Sequence, residues 1–229
     1  MSRLTINSIM QSIAATVNQE STAPTTSGDE YNLWLEYINR ALFEWSNTTD
    51  WEVLRKTFYP PVTIISGATV PMPLDFRKIA AEPRLYSDGI TNGIPFPEVL
   101  PEQTGLHSAL TKYITVRGDL STGYNMLFHP ATMSSGASLE IQYYSTPTSL
   151  ATTTEIPVIP DSQFLVDRTI AYIFEARSDS RFQLEETKAR DKLLNMVENN
   201  NAAKYNSYAG QNPVLSTMQK ANFRVGRDG

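Results

Sequence analysis

Apolar positions near the start of the chain recur at helical spacing: Ile6, Ile9, Met10, Ile13 and Val17 share one face, with Ser8, Gln11 and Thr16 opposite. That spacing predicts a short amphipathic helix. After a polar loop over 18–30, Trp34, Ile38, Ala41, Leu42 and Trp45 form a second stripe. Ser27 followed three residues later by Glu30 reads as a capping box opening this second helix. Another box, Thr49 with Glu52, opens a shorter turn that brings in Trp51 and Leu54. All three tryptophans therefore sit close together in sequence, and their bulk predicts the anchor of a helical core.

From about Phe58 to Tyr144 the period changes from helical to alternating, in short runs rich in Val, Ile, Thr, Tyr and Phe and broken by Gly and Pro. Strands are expected over 62–65, 69–72, 84–86, 113–117, 124–128 and 139–143. The last alternates cleanly, with Leu139, Ile141 and Tyr143 on one face and Glu140 and Gln142 on the other. Asp88-Gly89 and Asn92-Gly93 are turn dipeptides, and Gly118 to Gly123 is a hairpin loop. A half-exposed antiparallel sheet or small barrel fits this pattern.

The Ser/Thr/Pro-rich stretch 145–160 returns the chain, and Asp161 after Pro160 is placed to cap a long helix. Val166, Ile170, Ile173 and Phe174 share a face there. The pattern continues through Phe182, Ala189, Leu193 and Met196, with Glu186 and Arg190 spaced for an i,i+4 ion pair. Asn199, Asn200 and Asn201 mark an expected fraying end. Beyond them, Pro213, Val214, Leu215, Met218, Phe223, Arg224 and Val225 stand in a segment without a period, too sparse to bury itself. Such a segment suits an arm that orders on a partner.

The 229 residues, 41% of them hydrophobic, suffice for a packed core. No cysteine is present, which excludes a disulfide framework, a thiolate metal site and a thiol nucleophile. The start of the chain lacks the continuous apolar run of a signal peptide, and no segment has the ~20 apolar residues that span a bilayer. Net charge is −5, against a phosphate-gripping surface. The charge is uneven: Lys220, Arg224 and Arg227 against Asp228 give the final segment +2 and leave −7 for the rest.

Catalytic patterns are missing. His107 and His129 have no ligand spacing, and His129 before Pro130 reads as an ordinary turn residue. Glu98 and Glu102 would share a helix face, for which a solvated surface is the plainer account than a hydrolytic pair. No phosphate-cradling Gly-rich loop, nucleophile elbow or zinc pattern occurs, so no enzyme, metal or cofactor is expected. Eleven tyrosines leave a carbohydrate-binding β module as the alternative reading.

The segments YINRALFEWSNTTDWEVLRKTF, GATVPMPLDFRKIA, GYNMLFHPA with SLEIQYYSTPTSL, and IPVIPDSQFLVDRTIAYIFEARSDSRFQLEETKARDKLLNMVENN together resemble the head-to-tail adaptor proteins of tailed-phage connectors. The matching positions are Asn39 to Ala41, Trp51, Pro73 to Phe76, Ile159 to Asp161 and Arg177 to Asp179. Arg177-Ser178-Asp179 departs from the tighter doublet of the family. The resemblance implies a ring, usually twelvefold, beneath the portal ring of the virion neck. DNA would pass through its lumen and the next neck or tail protein would bind below, after assembly in the host cytoplasm.

The expected fold is α+β: helices over 1–57 and 146–204 forming one core, a β-rich insertion over 58–145, and an extended arm over 205–229. The arm residues Pro213, Val214, Leu215, Met218, Phe223 and Arg224 are the expected contacts with the portal or a neighbouring subunit, because apolar and Arg anchors dominate interfaces.

Overall fold

A computed structural model describes residues 3–60, 69–86, 93–106, 112–119, 121–129 and 138–211, with side chains described to Ala202 and at Lys204. The expected strand at 62–65, the turn at 88–89, Asn92 of the turn at 92–93, and His107 lie outside these residues. The chain divides into two compact units, Met1–Val53 with Ser149–Gly229, and Leu54–Thr148.

The first unit is helical. Helix α1 (Ile6–Val17) is capped by Thr5, whose hydroxyl accepts from the Ser8 N–H, and buries Ile6, Ile9, Met10, Ile13 and Ala14. Helix α2 (Asp29–Thr48) buries the expected stripe, but its N-cap is Gly28 and no side chain caps it. The Gly28 carbonyl already accepts from Asn32, so the helix starts later than a Ser27 box requires. Asp29 and Glu30 then lie in the first turn, where carboxylates favour the helix dipole, and Glu30 accepts from Asn18 instead.

Helix α3 (Gln163–Ala176) packs against α1, α2 and α4 (Phe182–Gln211). It is buried on nearly all sides, with polar Asp167 and Thr169 buried among its apolar residues. Its N-cap is Ser162, with no side-chain cap bond; Asp161, the expected cap, stands one residue earlier and accepts from the Gln163 N–H.

Two expectations for α4 fail. Glu186 pairs with Arg168 of α3 and not within its own helix. The helix does not end at the three asparagines but continues to Gln211. The reason lies at Asn200, which is buried: its amide donates to the Asp50 carbonyl and its oxygen accepts from the Glu52 N–H. A side chain so engaged no longer competes with its own backbone.

The second unit is β. Strand β8 (Ser138–Ser145) pairs antiparallel with β1 (Arg55–Phe58), β3 (Phe76–Ile79) and β4 (Arg84–Tyr86), and β4 pairs with β5 (Ile94–Pro95). Strand β7 (Gly123–His129) pairs with β2 (Thr69–Pro71) and β6 (Tyr113–Asp119). Strand β2, between β1 and β3 in sequence, lies in the other sheet, so the described strands form two sheets and no closed barrel. Both contribute to one apolar cluster, Val70, Phe76, Leu85, Ile114, Met126, Phe128, Leu139 and Ile141 among it. The β6–β7 hairpin closes where expected. Gly118 has φ +126°, and a Cβ there would stand 2.1 Å from the Gly123 carbonyl.

Candidate assembly surface

The residues that carry the resemblance are joints of the fold. Asn39 clamps Leu150, its amide donating to the Leu150 carbonyl at 3.0 Å and its oxygen accepting the Leu150 N–H at 2.7 Å. Trp51 stacks on Trp45 at 4.8 Å and donates its indole N–H to the Trp45 carbonyl. Asp75 receives Lys56 and the Tyr143 hydroxyl, while its carbonyl accepts from Thr146. Desolvation and the Asp75 bond push the Tyr143 hydroxyl up to about 12, so it stays a donor. At the corner between α3 and α4, Asp179 accepts from both the backbone and the guanidinium of Arg181.

These joints leave distinct surfaces. The turn from Pro73 to Phe76, closed by the Phe76 N–H on the Pro73 carbonyl and pinned through Asp75, presents Leu74 at 99% exposure. An apolar side chain held rigidly in water has the character of an interface anchor. In the helical unit, Trp51, Val53, Pro160, Met196, Asn199 and Asn200 line a mainly apolar groove of about 470 Å³.

Next to α3 lies a charged cluster that sequence reading missed. Arg168 donates to Glu44 of α2 and to Glu186 of α4. The Tyr172 hydroxyl also donates to Glu44, and its ring lies between Arg40 and Arg168 at 4.4 and 4.6 Å. Burial and Glu44 raise the Tyr172 pKa. Only the i,i+4 spacing of Arg168 and Tyr172 signals this in sequence; the acidic partners come from other helices.

No catalytic arrangement assembles from the candidate residues. Glu98 bridges to Ile114 while Glu102 lies in a 3-10 turn, Pro101–Leu106, so they do not share an α-helical face. His129 is the last residue of β7, not a turn residue, and stacks on Tyr113 at 4.7 Å, near the Thr115 hydroxyl. Among the described residues no group of three His, Asp or Glu side chains is arranged for a metal, and no helix is long and apolar enough to cross a membrane. Of the tyrosines with described side chains, most are buried or half-buried and Tyr59 alone is exposed, which leaves little aromatic platform for a glycan.

The family model of the SU10 adaptor protein matches residues 4–214. This chain belongs to that family, one of phage head-tail adaptors. A search of the curated proteins finds no match. The matched span takes in every joint described above, from the Asn39 clamp to the Asp179 corner. Pro213 and Val214 fall at the end of the match, and Leu215, Met218, Phe223 and Arg224 beyond it. All six lie outside the described residues.

Proposed function

We propose that this adaptor is a ring subunit of the phage neck that docks on the portal and joins head to tail around a lumen for DNA. The observation that carries the reading is the family match over nearly the whole chain. The physical features agree with it. The acidic body, −7 without its final segment, repels the DNA backbone and suits passage without binding. Exposed Leu74 on its pinned turn suits a contact with a neighbouring subunit or the next neck or tail protein. A ring, usually twelvefold, needs such a patch on one side and a different, complementary one on the other.

In this reading the final segment is the docking arm, with Pro213, Val214, Leu215, Met218, Phe223 and Arg224 as its contacts, and the complex forms in the host cytoplasm before it becomes part of the virion. Light scattering on the purified protein, alone and mixed with the portal of its own phage, tests the proposal. Ring formation or stoichiometric co-assembly is the expected result. A monomer indifferent to portal would overturn it.

A further inference from the structure

Between the start of α2 and the end of α3 the helical unit leaves apolar surface uncovered. Leu33, Trp34, Tyr37, Ile173 and Ala176 line an open pocket of about 310 Å³ there, and Leu33 is 46% exposed. The volume stands at the lower end of the ~300–1,000 Å³ range of sites that enclose a ligand, room for one or two apolar side chains.

The rim of this pocket is acidic. Asp29 and Glu30 line it beside Arg177, whose guanidinium stands 3.8 Å from Glu30. Asp29 and Glu36 lie one turn before and one turn after Leu33, and both are exposed. Among the described residues no cation pairs with either of them. A pocket so bordered favours an apolar side chain presented by an element that carries positive charge.

The turn from Pro73 to Phe76 is such an element. It presents Leu74 at 99% exposure and is held by the bonds of Asp75 to Lys56, Tyr143 and Thr146. Strands β1 and β3, which hold the turn, carry Arg55, Lys56, Arg77 and Lys78 and no carboxylate, so with Asp75 the element sums to +3. That is a local excess, because the unit Leu54–Thr148 as a whole carries seven basic and seven acidic residues. The −7 of the body therefore belongs entirely to the helical unit.

We propose that Leu74 of one subunit enters the pocket of Leu33, Trp34 and Tyr37 on the next subunit, with the cationic strands against the acidic rim. The inference rests on the ring reading above and names its repeating contact. At 99% exposure Leu74 does not occupy the pocket of its own chain. Each copy offers one knob in its β unit and one pocket in its helical unit, the head-to-tail pairing that a ring of more than two subunits requires. Opposite charge selects which faces meet, and the leucine anchors them. One knob covers far less than the ~800 Å² per partner of a stable interface, so the contact fixes the register of a larger one.

The absence of native cysteine makes cross-linking unambiguous. Two full-length variants, Leu33→Cys and Leu74→Cys, are mixed under conditions in which light scattering shows assembly, alone or on the portal, and treated with a short bismaleimide. A covalent dimer from the mixture, and from neither variant by itself, is the expected product. A chain carrying both substitutions is expected to give a ladder of covalent oligomers. Leu74→Asp is expected to raise the concentration needed for assembly at least about tenfold while the subunit's own melting temperature stays unchanged. Glu36→Lys is expected to weaken assembly and to flatten its dependence on salt.

Assembly without a bridge between the two positions, or with Leu74→Asp as effective as the parent, would assign the turn to the portal or another neck protein and overturn the proposal, leaving the ring reading intact. A dimer from Leu74→Cys by itself would make the contact self-paired and overturn it too. Failure to assemble with or without portal would remove the ring reading and this contact with it.

Discussion

Asn39 and Leu150 form a closed pair of hydrogen bonds, side-chain amide to backbone amide, across more than a hundred residues of sequence. The pair ties α2 to the point where the chain re-enters the helical unit, and Leu150 is buried. Asn39→Ala leaves a buried N–H and a buried carbonyl unpaired and is expected to cost about 2–3 kcal/mol. Asn39→Asp keeps the acceptor but sets a carboxylate against the Leu150 carbonyl, so it should recover less than half. Urea unfolding of the two variants checks both values; equal stability with the parent would remove the clamp from the account.

Arg168 is served by two carboxylates and lies over a third partner, the Tyr172 ring. Arg168→Ala leaves Glu44 and Glu186 without their shared cation and is expected to cost about 2 kcal/mol, a figure kept low because both carboxylates are partly exposed. Arg168→Lys should restore no more than half, since an ammonium is a single point and cannot fork between two acceptors as a guanidinium does. Thermal melts of the three proteins at moderate salt measure this order.

Asp119 and Asp179 respond to acid together. Backbone and hydroxyl donors of Thr122 and Ser121 hold the Asp119 carboxyl at about 2, and Arg181 holds Asp179 at about 2. Both folded values lie below the ordinary carboxylate value near 4. Their contributions are therefore complete above about pH 4 and fade as pH falls toward 2. Asp119→Ala is expected to be less stable than the parent at pH 7 and to approach it near pH 2. A deficit that persists unchanged at low pH would contradict the charge-based cause.

Asp167 has the opposite sign. Burial in the interface between α3 and α4, with Glu185 facing it, raises its pKa despite Gln163, Lys192 and Lys188 nearby. Ionising it opposes folding, so Asp167→Asn, which retains an acceptor for Gln163, is expected to stabilise the protein at pH 7. The gain should vanish once pH falls below the unfolded carboxylate value. Paired unfolding curves at pH 7 and about pH 3 give the test.

Asn200→Ala should cost about 1–3 kcal/mol by removing its two bonds, to the Glu52 N–H and the Asp50 carbonyl. Its local signature is more telling. Hydrogen exchange in α4 beyond Asn200 is expected to quicken while the first turns of that helix stay protected. Uniformly faster exchange along α4 would instead mean a global loss of stability.

Most of the helices and several strands were legible because their signal is periodic. The stripe from Trp34 to Trp45 and the alternation at Leu139, Ile141 and Tyr143 are set by burial of one face, which each segment records in its own residues. Strand β3 was not legible: Phe76 to Ile79 is short, half polar and bulged against β8, too little for a period. Strand β1, with three exposed residues out of four, gave even less.

The candidate surface was legible only at its ends. Sparse apolar spacing suggested an arm over 205–229, whereas the groove over Trp51 required residues from three separate stretches of chain, and neither Pro160 nor Asn199 carries a mark of that use.

By itself the sequence determined the α+β class, the helical faces, the hairpin of β6 and β7 and the membership of the adaptor family, because propensity, periodicity and turn chemistry act between near neighbours. Tertiary structure alone decided that α4 continues past its asparagines, that Glu186 turns to Arg168 instead of Arg190, and that β2 lies in a different sheet from β1 and β3. Each of those depends on a partner far along the chain, and the free energy of a polar group is set by whichever partner the fold brings to it.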